Sequence, residues 1–186
     1  MITYENYKGQ FDTILEGKSF DSIYENPTFL NYVKLNASRM KRWEKTGKLD
    51  DETMAILKNI DSPQKWVVIT EPWCGDAAQI VPFIQKMAAE NEKIELVFQN
   101  RDNGSEIDKY LTNGGKSIPK LIVRDELGND LFDWGPRPAP AQQLHFELKD
   151  DSSLSAEEKK EKLQQWYNHD KGNLIQKEIC ELLKHN

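Results

Sequence analysis

The stretch Trp66-Val67-Val68-Ile69-Thr70-Glu71-Pro72-Trp73-Cys74-Gly75-Asp76-Ala77, continued by Ala78-Gln79-Ile80-Val81-Pro82-Phe83-Ile84-Gln85-Lys86-Met87-Ala88-Ala89, decides the fold. Its first five residues form an apolar, β-branched run that reads as a buried strand. From Ala77 onward the apolar residues recur at helical spacing. Cys74 therefore stands where a strand turns into a helix, facing the free N–H groups and the positive dipole end of that helix. Such a position favours the thiolate, the form that attacks disulfides. Redox chemistry is the expectation, with a Cys74 pKa slightly below the free value of about 8.5 and a thiol at least partly exposed.

Working outward, strands are predicted over 94–99, 120–124 and 130–134, the last two joined as a hairpin across Asp125-Glu126-Leu127-Gly128-Asn129. Helices are predicted over about 75–90 and over 105–112, the second capped by Ser105 and ended by Asn113-Gly114-Gly115. A β-α-β unit followed by a hairpin gives a mixed sheet with helices on its faces. The first 60 or so residues read as helical. Asn26-Pro27 is a start signal, and Phe29, Leu30, Val33, Ala37, Met40 and Trp43 follow at helical spacing to a stop at Gly47. Asp51 to Ile60 reads as a shorter helix. Past the sheet, Pro136-Arg137-Pro138-Ala139-Pro140 reads as a stiff surface loop before a short helix from Gln142 to Lys149. Ser155-Ala156-Glu157-Glu158 is a capping box opening a helix that Gly172-Asn173 interrupts.

Composition narrows the function classes. The 186 residues suffice for one domain, and 30% of them are charged. A net charge of -6 argues against nucleic acid as a partner, since phosphate binding needs a basic surface. No run reaches the roughly 18–20 apolar residues of a membrane span. The polar start Met1-Ile2-Thr3-Tyr4 lacks a signal peptide's apolar core, so the expected location is cytoplasmic. Two distant cysteines make no disulfide scaffold. His145, His169 and His185 show no ligand spacing, so no metal is expected. Cys180, in the amphipathic stripe of the last helix, reads as a packing residue, as do Trp43, Trp66, Trp134 and Trp166.

With these pieces in order, the chain resembles the thioredoxin superfamily. The resemblance rests on Trp73-Cys74-Gly75 at the strand-to-helix turn, Pro82 inside the helix, Ser117-Ile118-Pro119-Lys120 ahead of a strand, and Gly135 closing the final strand. It covers about residues 62–149, leaving helical extensions at 1–61 and 150–186 of what is expected to be a single domain, 1–186. It implies an α/β fold, a three-layer sandwich with a central mixed sheet of about four strands. It also implies a cis Ile118–Pro119 bond beside the thiol and a groove shaped by Trp73, Ile118, Pro119 and Gly135, with Gly75 and Asp76 beginning the helix behind the sulfur.

The departures from the family pattern shape the functional expectation. Ala77 stands where a dithiol enzyme has its second cysteine, and Val68 where many thioredoxins carry a buried acid. Asp76 should assist the helix start but oppose ionisation of Cys74. The chain is similar in this to monothiol glutaredoxins, although the match is only Cys74-Gly75; the nearest cations for an anionic thiol are Lys65, Lys120 and Arg137. Arg137 itself reads most simply as a solvated loop residue. The expected function is monothiol thiol–disulfide exchange through Cys74, on a disulfide-bearing protein or a small-thiol mixed disulfide. No bound cofactor is expected, only an external low-molecular-weight thiol. The alternative is a binding module that keeps the groove without efficient catalysis.

Overall fold

The computed structural model describes residues 1–19 and 21–185. Four strands, β1 (Gln64–Thr70), β2 (Ile94–Asn100), β3 (Lys120–Arg124) and β4 (Asp130–Trp134), form one sheet in the order β2-β1-β3-β4. β1 runs parallel to β2, with Val67 opposite Val97, and antiparallel to β3, with Val67 opposite Ile122. β3 and β4 form the antiparallel hairpin, Leu121 facing Trp134. The central position of β1 explains its composition: Trp66, Val67, Val68 and Ile69 are all fully buried, as a strand covered on both faces must be.

Seven α-helices flank the sheet among the described residues: α1 (Tyr4–Leu15), α2 (Pro27–Thr46), α3 (Asp51–Lys58), α4 (Ala77–Ala89), α5 (Ala139–Asp150), α6 (Ala156–Asp170) and α7 (Asn173–Lys184). Their starts follow the capping residues. The Asn26 side chain accepts the Thr28 N–H at 2.9 Å with Pro27 in the first turn, and Ser155 and Glu158 form the reciprocal capping box of α6. α4 has almost no polar face. Ala77 through Ile84 are buried without a break, because α4 is enclosed by the sheet on one side and by α2, α3 and α7 on the other. α1 closes the β2 edge: Ile2 bridges Phe98 through two backbone hydrogen bonds, and the Tyr7 ring stacks on Phe98 with centroids 5.1 Å apart.

Two sequence expectations need correction. The segment 105–112 holds only a 3-10 turn at Ile107–Lys109. Tertiary pairing overrides local propensity there: Arg124 on β3 holds Glu106 through two hydrogen bonds, and Tyr110 donates to Asp130 at 2.5 Å. The Pro-rich stretch is also less of a loop than expected, since α5 begins at Ala139 with Pro140 in its first turn. Among the described residues, no helix is long and apolar enough to cross a membrane.

Candidate functional site

Cys74 lies in the turn between β1 and α4, held by its N–H on the Glu71 carbonyl (3.0 Å) and by its carbonyl receiving the Ala78 N–H (3.2 Å). The thiol accepts the Ala77 N–H at 3.4 Å and donates to the Ile118 carbonyl at 3.4 Å. The Ile118–Pro119 peptide is cis. The Gly135 backbone then packs behind this segment at φ +113°, so close that a Cβ there would lie 2.4 Å from the Pro119 carbonyl oxygen. Only glycine fits this position. Trp73, Cys74, Gly75, Asp76 and Ile118 line one cavity of about 1060 Å³. Pro119 and Gly135 are not among its lining residues.

The thiol differs from the sequence expectation. Cys74 is only 6% exposed, and burial, followed by the charge of Asp76, pushes its pKa up to about 12. The Ala77 and Asp76 N–H groups and the charge of Arg137 pull it down without compensating. The helix start favours the thiolate, but desolvation of the charged form is the larger effect.

Asp76 also acts otherwise than a helix-starting carboxylate. It makes no cap hydrogen bond. Its oxygens instead receive Arg137 Nη2 at 2.7 Å and the Tyr167 hydroxyl at 2.9 Å, giving a largely buried ion pair beside the sulfur. Arg137 is thus no solvated loop residue: its side chain is 13% exposed and also donates to Gln142. Of the other cations expected to meet an anionic thiol, Lys120 is bound to Asp133 at 2.7 Å, and Lys65 pairs with Glu95 at the far end of β1.

The helical flanks supply what sequence reading missed. Asn36, fully buried on α2, donates to the Pro72 carbonyl at 3.0 Å. Gln79 on α4 receives the Trp43 indole N–H from α2 and donates to Gln164 on α6 at 2.6 Å. α2 and α6 are thereby fixed to the Cys74 turn through buried polar contacts, whose loss would leave groups unsatisfied. Phe29 on α2 meets the Trp73 ring edge-on at 5.8 Å, and the Arg101 guanidinium lies over the same ring at 4.8 Å. Half-buried His145 lines the cavity too, its pKa lowered by burial and by Arg137. The one signal available beforehand was Asn36, a polar residue at an inward helical position.

Cys180 lies elsewhere, 4% exposed on α7 with its sulfur 3.7 Å from the Thr53 hydroxyl of α3. Both cysteines are free. Among the described residues, no cluster of three or more His, Cys, Asp or Glu could hold a metal ion.

A thioredoxin family model matches residues 23–161. The chain belongs to the thioredoxin family. The match reaches beyond the sheet-and-turn core into α2 and the start of α6, which line the cavity together with α5. Among solved structures, this family member is similar to an HIV epitope scaffold (16% identity, 99% of each chain covered, TM-score 0.56). It is equally similar to a protein of unknown function from Pseudomonas aeruginosa (16% identity, covering 99% of this chain and 92% of that one, TM-score 0.56). A domain of the alkylhydroperoxide reductase AhpF from Enterococcus faecalis matches over 57% of this chain and 54% of its own, at 17% identity and TM-score 0.39. The first two share the fold of the whole chain. No curated protein sequence matches significantly.

Proposed function

We propose that this thioredoxin-family chain carries out monothiol thiol–disulfide exchange through Cys74. The observation that carries the reading is the thiol's placement: it faces the Ala77 N–H at the start of α4 and the Ile118 carbonyl of the cis segment, on the wall of an open cavity. In the first step the Cys74 sulfur attacks one sulfur of a bound disulfide. The substrate's S–S bond breaks, a Cys74 mixed disulfide forms, and the departing thiolate carries off the proton as a thiol. An external low-molecular-weight thiol then attacks the mixed disulfide, regenerating Cys74 and leaving as the new disulfide. Ala77 provides no internal sulfur for that release.

The thiol pKa near 12 sets a condition on this reading. The resting protein holds almost no thiolate at neutral pH, so exchange depends on ionisation after a substrate has entered. That same observation favours a second reading, a binding module that uses the cavity without turnover. The deciding assay supplies a mixed-disulfide substrate, an external thiol and its reductase to the wild type, Cys74→Ser and Cys180→Ala. Turnover abolished by Cys74→Ser alone supports exchange. Turnover lost with either change would point to a two-cysteine mechanism, and no turnover in the wild type would leave the binding reading.

A further inference from the structure

The cavity over Cys74 is lined jointly by the sheet-and-turn core and by α2 and α6, and its charge runs against that of the chain. The protein carries a net charge of -6, yet the cavity lining holds seven Lys and Arg against four Asp and Glu. Two of those acids are already neutralised, Asp76 by Arg137 and Asp102 by Arg101, each at 2.7 Å. The other two, Glu157 and Glu161, are exposed on α6. Several cations have no carboxylate partner among the described residues. Arg39, half-buried on α2, donates only to Asn36, and its Nη1 would lie 3.7 Å from a Cβ on Gly75, next to the nucleophile. Lys160 contacts the Tyr32 hydroxyl and lies over its ring, and Lys159 donates to a backbone carbonyl. The Arg137 Nε–H is buried without an acceptor. A half-buried guanidinium with no ion-pair partner in contact, on the wall of an open cavity, suits a carboxylate ligand.

Resting on the exchange reading above, we infer that the occupant is a small, carboxylate-bearing disulfide, and not an extended segment of a protein. Its size follows from access to the sulfur: Cys74 is only 6% exposed at the base of a cavity of about 1060 Å³, the scale of small-molecule sites, so a compact disulfide reaches it more readily than one held in a folded protein. The carboxylates would meet Arg39 next to Gly75 and Lys160 on the facing helix, with Phe29 and Trp73 against the apolar part. The reaction is the first step already written: the small disulfide's S–S bond breaks, one half stays on Cys74, and the other leaves as a thiol.

The test measures mixed-disulfide formation on Cys74 by intact mass, using the full chain with Cys180→Ala. Oxidised glutathione serves as the acidic probe, cystamine as the cationic one, hydroxyethyl disulfide as the neutral one and insulin as the protein disulfide. Oxidised glutathione should react at least about tenfold faster than cystamine or insulin at low salt, and the gap should narrow as salt rises. Arg39→Gln should cut the glutathione rate severalfold and leave the hydroxyethyl disulfide rate alone. A cystamine or insulin rate equal to or above that of glutathione would overturn the inference while leaving exchange standing. If no disulfide modifies Cys74, the exchange reading fails. Calorimetry on Cys74→Ser then decides the cavity's preference with non-reactive thioethers: binding of S-methylglutathione but not S-methylcysteamine supports the acidic ligand, and any other pattern overturns it.

Discussion

Replacing Asp76 by Asn should make Cys74 more reactive and the protein less stable at once. The substitution keeps the side-chain shape, and with it an acceptor for the Tyr167 hydroxyl, now 2.9 Å away. It removes a negative charge two residues from the sulfur and leaves the cation of Arg137, now at 2.7 Å from the carboxylate, without its counter-charge. Both changes favour the thiolate. A unit charge about 6 Å away is worth about 3 kcal/mol at an effective dielectric constant of about 20, or about 2 pK units. Burial, the largest cause of the present value near 12, is unchanged, so the midpoint should fall by that amount, to about 10. Near pH 8 the thiolate fraction would rise about 100-fold. Lower intrinsic nucleophilicity offsets much of this, leaving alkylation roughly tenfold faster. The stranded guanidinium should cost about 3–5 kcal/mol of stability. The assay is iodoacetamide alkylation against pH in a Cys180→Ala background, with circular dichroism marking where the protein is folded. An unchanged or slower rate in the folded variant would refute the electrostatic argument. Arg137→Met is the control: it breaks the same ion pair but keeps the Asp76 charge, so it should slow alkylation. A comparable acceleration there would assign the effect to loosening of the turn.

Gly135→Ala should lose about 3 kcal/mol or more in urea unfolding, because φ is +113° and the new Cβ would lie 2.4 Å from the Pro119 carbonyl oxygen. Gly75→Ala, whose Cβ would meet nothing nearer than Gln164 Nε2 at 3.5 Å, should change stability by less than about 1 kcal/mol. Alkaline titration should destabilise the protein from about pH 9 upward. Cys74, Tyr4, Tyr7 and Tyr167 all have folded pKa values raised by burial, so the folded state holds protons that the unfolded state has released. The Cys74 share, present in full below its usual pKa of 9.0 and lost by about 12, is about 4 kcal/mol, and Cys74→Ala should remove it from the unfolding profile. Gln79→Ala should cost about 2–3 kcal/mol by stranding the Trp43 indole and Gln164. Its amide hydrogen exchange should quicken first in α6.

How much of this was legible beforehand differs between elements. β1 to β4 and their hairpin emerged from short apolar runs bounded by turn residues, since period and punctuation are local properties. The helix expected at 105–112 failed because its fate is set from a distance by Arg124, a residue nothing nearby in sequence announces. The Cys74 turn was recognisable from Trp73 to Ala77, and Gly135 from its place after β4. The thiol's burial was not, since it depends on segments such as Ile118 that meet the turn only in three dimensions. The pairing of Arg137 is hidden for the same reason. A cation between two prolines looks solvated until Asp76, 61 positions earlier, comes to face it. Arg39 carried no signal either, because an unpaired guanidinium is defined by the partners it lacks.

The near-total enclosure of α4 has a consequence for anyone who would trim the protein to its recognisable centre. Cut free of α2, α3 and α7, that helix would expose apolar side chains now covered by them, Phe83 against Trp43 among them, with only the half-buried Gln85 and Lys86 as polar relief. Such a fragment would find its missing cover in other copies of itself and come out of solution. Any engineering of the scaffold should therefore carry those helices along.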